Sequence, residues 1–591
     1  MLPNYRWLDT PADETSVRTL AQTVGLSVPV ARILFARGTR TPADAVAFLS
    51  PDLRAHLAPP CDFPGVREAV ERLWAAVRAR REIVVFGDFD ADGVAATAIL
   101  VTALRKIGGV AEAFLPVREP EGYGLTFAAL ERCRAERGRL PDLLVTVDCG
   151  IGAVAEVAYL REKGVEVIIT DHHEPDAALP AAEVIVNPRL GASPGAEHLC
   201  GAGVAFKVAH ALAEMGKAEG WYQGGTFGGE LLAAVGLATV ADIVPLTGEN
   251  RVFVANALKY WSRYAGEGLR ALLSRASPQT VDMLDATTFG FVLGPRINAA
   301  GRMGSAMVAY ELLTTQNRDR AAELASKLEA FNGERRGVET RIVAAARRRC
   351  GLEAGGVFDE PAVVVGGEGP HAGETGWHPG VIGIVAARLS DETGRPAAVV
   401  AFDKEGSGRG SVRASEGYHA LQALAAAGEA LEGFGGHARA AGFRLKPGQY
   451  DTFKRLFCEA CSKQSVDAVR TLKIDGWLMP EELSLPFYRE QQRLAPFGMG
   501  NPTPHWGVRG MAVESVRPIG AAGEHLQFTF AAGAGGQTLR GVWFRNGRQI
   551  EAVRAAPGRF DVIFELTQND FGGESSAELR VIDMAPEGAG I

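Results

Sequence analysis

No apolar run in this sequence approaches the about 18 residues that a bilayer-crossing helix needs, so nothing in it announces a membrane span. The opening MLPNYRWLDTPADE lacks a basic start leading into an apolar stretch, which removes the expectation of a secretory signal. Cysteine is sparse. Seven are scattered over 591 residues, an odd number without regular spacing, and this argues against a disulfide framework. The basic excess that would advertise a nucleic-acid binder is also missing, since the formal net charge is −8. That last absence excludes little, because an acidic chain can enclose a basic channel, and carboxylates gathered for cations add negative charge. The expectation is a cytoplasmic protein without membrane contact, divided at this length into three or four domains.

What is present changes character along the chain. Residues 1–50 carry helix-like apolar spacing in SVRTLAQTVGLSVPVARILFARG and TPADAVAFLSP and read as a small helical lead-in without chemistry. Across 51–316, short β-branched segments (EIVVFGD, AEAFLP, LLVTVDCG, VEVIITDHH, AEVIVNP) alternate with helical ones, the pattern of an α/β domain built on a parallel sheet. Residues 317–350 read as a long connecting helix, and FNGERRGVETRIVAAARRRC within it holds six Arg against two Glu. Its two readings are a solvated linker and a spacer whose arginines face a phosphate-bearing cleft. A second α/β unit occupies 351–463, around PAVVVGG, GVIGIVAARLSDETG and PAAVVAF. From 464 to 591 the period becomes two: Leu526, Phe528 and Phe530 share one face, as do Phe560, Val562, Phe564 and Leu566, which predicts a small antiparallel β-barrel or sandwich. The closing EGAGI reads as a linker, an expectation that the chain is a piece of a longer one.

Chemistry concentrates after the strands of the first sheet, where open α/β folds place their ligands. GDFDADG brings Asp88, Asp90 and Asp92 together at a strand end; such carboxylates repel one another unless hard divalent cations compensate them. A Ca²⁺ loop is excluded, because the twelfth position from Asp88 is Ile99 rather than Glu. Asp148 follows a buried strand in VTVDCG, and Asp171, His172 and His173 follow another in VIITDHHEP. Asp242, in ATVADIVPL, takes its weight from this company. Three features are set aside. GAGVAFK (201–207) has no third glycine and no P-loop ending, and starts a packed helix; Cys458 and Cys461 form a lone CxxC without a partner pair; Cys149 has no base to activate it.

GDFDADG, VDCG, TDHH and ADIVPL, in this order, resemble the signature of the DHH phosphoesterase superfamily. The continuation GPRINAAGRMG (294–304), GWHPGVIGIVAARL (376–389) and FGGHARAAG (434–442) is similar to the bacterial RecJ exonucleases over roughly 50–585. That resemblance implies a DHH domain and a DHHA1 domain joined by the long helix, followed by an OB-fold. It implies two Mn²⁺ or Mg²⁺ ions, one held by Asp92, Asp148, His172 and Asp242, the other by Asp90, Asp148 and Asp88. His173 would lie near the scissile phosphate, with Asp171 orienting its neighbouring His.

For phosphate, the resemblance implies Ser411 and Arg413 of GSVR at the DNA 5′ end, preferred over the overlapping match GSGRG (406–410). GSVR and the GGH that ends at His437 are expected just before helices, whose N-termini favour anions. Arg118, Arg296 and Arg302 are further candidates. Trp543, Phe544 and Phe571 are possible base-stacking platforms, which an apolar barrel core would explain equally well. The implied activity is 5′-to-3′ degradation of single-stranded DNA to nucleoside 5′-monophosphates, in DNA repair and recombination. A monomer working with a single-strand-binding protein and a helicase completes it. Alternatives are a phosphodiesterase for short oligonucleotides or cyclic dinucleotides, and a non-catalytic DNA-binding scaffold.

Overall fold

The computed structural model of the chain describes residues 4–221, 227–278, 284–352, 358–464, 471–532, 537–556, 558–570 and 575–589. Its first sheet is parallel throughout, in the order Val110–Phe114, Glu82–Phe86, Leu143–Val147, Glu166–Thr170, Val184–Val186. Successive side chains alternate between faces. Ile83, Val85, Val145 and Ile168 therefore enter one core with the helices Val66–Arg78, Ala91–Lys106 and Gly201–Ala218. Val84, Phe86, Leu144, Val167 and Ile169 enter another with Phe127–Arg137 and Val154–Glu162. Burial on both faces is why these strands read as continuous apolar runs. The second strand of the sequence order lies at the edge, so the chain reverses direction between Glu82–Phe86 and Leu143–Val147. A crevice at the carboxyl ends opens at such a switch point.

The helix Arg318–Arg349 spans 32 residues, about 48 Å at 1.5 Å per residue. Leu324, Ala325 and Leu328 belong to the first domain's core, while Val338, Ile342, Val343 and Ala346 belong to that of the second. One continuous helix thus contributes to both cores and joins the two domains. The second sheet runs Leu431–Gly436, Ala440–Leu445, Gly408–Arg413, Ala397–Phe402, Val363–Glu368, with only the last pair parallel.

The C-terminal barrel closes where Trp506–Ile519 pairs with both His525–Ala532 and Arg559–Asn569. Leu526, Phe528, Phe530, Phe560, Val562, Phe564 and Leu566 all point into its core, as their spacing predicts. The barrel is not wholly antiparallel: Gln537–Trp543 pairs parallel with Ser576–Pro586. The N-terminal segment also differs from a helical lead-in. It contains the strand Arg6–Asp9, parallel to Thr471–Ile474, and its helices place Val17, Leu20, Ile33 and Leu34 in the barrel's own core. A clamp reinforces the join, with the Trp7 indole and the Asn4 and Tyr5 amides donating to Asp583. Among the described residues, no single helix is long and apolar enough to cross a membrane.

Candidate metal centre

Asp90 caps the helix Ala91–Lys106, its Oδ1 accepting from the amides of Asp92 and Gly93 at 3.0 Å. Glycine is required at 93, where a Cβ would lie 2.6 Å from the backbone of Asp88. This tight turn carries Asp88, Asp90 and Asp92 around the strand end. Asp92 is gripped from elsewhere in the chain: the Gly201 and Ala202 amides, at the first turn of Gly201–Ala218, donate to its two oxygens at 2.6 and 2.8 Å. Helix N-termini suit carboxylates. Asp148 ends its strand with φ of 58°, a left-handed conformation costly for a residue with a side chain. Gly201 presses on it so closely that a Cβ there would meet Asp148 Cβ at 2.4 Å.

These elements converge on His172. Its Nε2 lies 3.1 Å from Asp148 Oδ1 and 3.7 Å from Asp92 Oδ2 and Asp242 Oδ2. His172 Nε2, Asp148 Oδ1 and Asp88 Oδ2 are nevertheless buried without a hydrogen-bond partner. Buried polar atoms are normally satisfied, so acceptors converging on a common point without donors fit a cation. Ligand-capable atoms of Asp92, His172 and Asp242, and of Asp148, His172 and His173, fall within 4.8 Å of one another. The electrostatics agree. Burial, then neighbouring carboxylates, raises Asp88 and Asp148 far above the usual carboxylate range and lifts Asp242 to about 9. Burial also lowers His172, which favours the neutral imidazole that binds metal. Raised this far, the acids call for compensating positive charge, which a divalent ion would supply.

Asp171 stands outside this ring. It accepts from the amides of His172, His173 and Ile151 and from His173 Nδ1 at 2.7 Å. Burial opposes the charged form of His173, but the bond to Asp171 prevails and holds it up at about 9. The opposite nitrogen, Nε2, meets the Tyr123 hydroxyl at 3.1 Å.

Three comparisons bear on this arrangement. The family model described as DHH family, N-terminal domain, matches residues 82–231; the DHHA1 domain matches 359–463 and the RecJ OB domain 474–583. A single-stranded-DNA-specific exonuclease RecJ of Bacillus subtilis is 33% identical over 585 residues, 98% of this chain and 71% of that protein. The chain belongs to the RecJ family. The Escherichia coli RecJ of the same description is 33% identical over 88% of this chain and 90% of its own length. The crystal structure of RecJ from Thermus thermophilus in complex with Mn²⁺ superposes with a TM-score of 0.82, covering 99% of this chain and 80% of that one at 31% identity. A second crystal structure of that RecJ, in complex with Mg²⁺, gives 0.76.

Beside the acids of this RecJ-family chain lies a second cluster, of cations. Arg118 spreads over the Phe89 ring at 5.1 Å, Arg302 donates to Gly380 O at 2.8 Å, and Arg413 donates to Ser411 Oγ at 3.0 Å. Burial lowers all three guanidinium groups, Arg302 to about 10, and the charge of Arg118 lowers Arg302 and Arg413 further. Among the described residues none of the three is paired with a carboxylate. Like charges held together in this way suit a multivalent anion. Arg409, the overlapping candidate, is engaged instead by Glu119.

Two placements correct the expectation. Ser411 and Arg413 lie on the strand Gly408–Arg413 rather than ahead of a helix, and exposed His437 lies in the turn between Leu431–Gly436 and Ala440–Leu445. Anion contact from them would come from side chains, not a helix N-terminus. The nearby helix start is Pro379–Thr393, capped by His378. Arg296 turns away from the acids to Glu329, at 2.5 Å, and Val292 O. Its neighbour Asn298 serves the site, Oδ1 accepting from the Ala91 amide at 2.8 Å. Asn298, Tyr123 and the Gly201–Ala202 amides were missed. Each lay close to a feature already singled out: Tyr123 five residues after Arg118, Asn298 inside GPRINAAGRMG, and Gly201–Ala202 at the start of GAGVAFK. Trp543 is core, its indole donating to Ile582 O; Phe544 is exposed; Phe571 lies outside the described residues. Cys149 and Cys461 are buried, and burial pushes both thiols up, Cys461 to about 12, so neither is a ready nucleophile.

Proposed function

We propose that this chain is a metal-dependent exonuclease that degrades single-stranded DNA from the 5′ end, releasing nucleoside 5′-monophosphates in DNA repair and recombination. The observation that carries the reading is the unpartnered His172 Nε2 facing Asp92, Asp148 and Asp242 in a chain of the RecJ family. The donor set, five carboxylates and an imidazole, suits Mn²⁺ or Mg²⁺. Asp92, Asp148, His172 and Asp242 would hold one ion, and Asp88, Asp90 and Asp148 the other. When bound, the pair supplies Lewis-acid stabilisation for in-line attack of water on a phosphodiester.

The chain's own residues do the rest. Asp171 fixes the His173 ring through Nδ1, leaving Nε2–H to donate toward a phosphate oxygen or to Tyr123. Arg118, Arg302 and Arg413 receive the charge of the 5′-terminal phosphate, with the Ser411 hydroxyl beside them. A cleft between the domains that is wide enough for one strand and too narrow for a duplex would account for the choice of single strands. A monomer in the cytoplasm, working with a helicase and a single-strand-binding protein, fits this role.

Digestion of end-labelled single- and double-stranded DNA with Mn²⁺, Mg²⁺ or EDTA tests the reading. A 5′ label should appear at once as mononucleotide from single strands alone, and EDTA should stop it. Immediate release of the 3′ label, or turnover in EDTA, overturns it.

A further inference from the structure

The acids have an apolar neighbour. A pocket of about 450 Å³ opens beside Asp242, lined by the residues that flank it, Ala241 and Ile243, and by Phe291 and Met499. Ile243, Phe291 and Met499 are 65%, 79% and 52% exposed, and Phe291 is the most exposed large hydrophobic side chain among the described residues. Three such groups rimming one hollow mark a binding surface rather than scattered exposure.

The backbone is unusual on both sides. Ile243 is β-branched yet holds φ at 60°, and Phe291 projects from the π-helical turn Thr288–Leu293. Strain and π-turns of this kind persist where something gains from them. The far wall is fixed. Leu246 N donates to Met499 O at 2.7 Å, and a Cβ on Gly498 would lie 2.8 Å from Leu246.

The lining says what fits. Among the described residues no Asp, Glu, Lys or Arg lines the pocket, and the polar side chains there are Thr287 and Thr503. Phosphate would find no counter-charge there, whereas a flat, uncharged, weakly polar group would lose apolar surface to water by entering. Asp242 joins pocket and acids without a break in the chain, its Oδ2 being 3.7 Å from His172 Nε2. A strand whose phosphate lies at the acids must set its bases somewhere near. We propose that this pocket is a nucleobase subsite, in which one base stacks on Phe291 between Ile243 and Met499. The inference rests on the single-strand reading above and adds to it where a base goes. Hydroxyls can donate or accept, so the subsite would tolerate every base.

Fluorescence anisotropy tests it in the wild-type chain with Mn²⁺, on strands whose phosphorothioate links resist hydrolysis, so that binding is read without cleavage. The probes are 5′-phosphorylated single strands with one abasic residue at each position in turn. Base stacking of the usual strength predicts one position at which losing the base weakens binding about tenfold. Phe291→Ala should weaken the intact strand by a similar factor and abolish the step, as should Met499→Ala. Val46→Ala removes another exposed apolar group, 56% exposed on the helix Pro42–Leu49, and should leave both unchanged. A flat scan, or a step that survives in Phe291→Ala, overturns the subsite. A flat scan together with an apolar peptide that binds the parent and not Phe291→Ala gives the pocket to a protein partner, and overturns it too. If the wild-type chain cleaves no end-labelled strand in Mn²⁺, the exonuclease reading fails instead, a result separate from these.

Discussion

A single methyl group at Gly201, far in sequence from every acid, should disable the site. Built on the backbone, a Cβ at 201 would lie 2.4 Å from Asp148 Cβ and 2.7 Å from its Cγ and Oδ1. Ordinary contact begins near 3.4 Å, so the Asp148 side chain must retreat by about 1 Å. It cannot retreat easily, because its backbone already sits at φ 58° and its amide donates to Thr170 O. The helix cannot move away either without releasing Asp92 from the Gly201 and Ala202 amides. Overpacking of this kind costs about 1–3 kcal/mol of folding stability, which a chain with several large cores should survive. A misplacement of about 1 Å at a reacting centre costs on the order of 100-fold in rate. Loss of support for a ligand weakens metal by about 10- to 100-fold. Gly201→Ala should therefore remain folded by circular dichroism, lose about 100-fold in kcat on single-stranded DNA, and bind Mn²⁺ at least tenfold more weakly by calorimetry. A folded Gly201→Ala with wild-type kcat and Mn²⁺ affinity would refute the claim that Asp148 must stand where it does.

Other consequences are separately measurable. Asn298→Ala should weaken Mn²⁺ by about 10- to 100-fold while folding stability changes by only about 1 kcal/mol, because one hydrogen bond to Ala91 N is lost; unchanged Mn²⁺ binding would contradict it. Arg413→Ala should abolish the preference for 5′-phosphate over 5′-hydroxyl ends and Arg409→Ala should not, since Glu119 already engages Arg409; the reverse pattern would restore the overlapping motif. The Lys207–Glu249 pair is almost fully buried at 2.6 Å, so Glu249→Ala strands an ammonium group and should cost about 3–5 kcal/mol in urea unfolding; a cost under about 1 kcal/mol would contradict the packing. Mn²⁺ at about 100 times its Kd should add about 2.7 kcal/mol to the wild type and little to Asp148→Asn.

The first sheet and its acids were legible because two regular signals coincide there. Apolar runs buried on both faces mark the strands, and the acids and histidines follow them at the carboxyl ends. Asp242 carried no such signal, since it follows a helix and joins the site only through the tertiary fold. The second domain was misread locally because GSVR and GGH look like helix-opening glycine turns. The glycines of GRGSVR are needed for another reason: a Cβ at Gly410 would strike the Phe443 ring of the neighbouring strand. Only the paired strand reveals that. Arg296 and Arg302 stand six positions apart in one motif, and composition cannot say which faces the cleft; the ion pair with Glu329 decides it. The strand Arg6–Asp9 was missed because four residues hold too few alternations to detect, and its partner, Thr471–Ile474, lies at the other end of the chain.

Anomalous diffraction at the manganese edge, from crystals of this chain grown with Mn²⁺, tests the central claim most directly. Two peaks should appear about 4 Å apart. One should touch Asp92, Asp148, His172 and Asp242, the other Asp88, Asp90 and Asp148, and both should vanish in Asp148→Asn. Manganese bound only elsewhere, or no peak beside His172 at saturating Mn²⁺, would contradict the account.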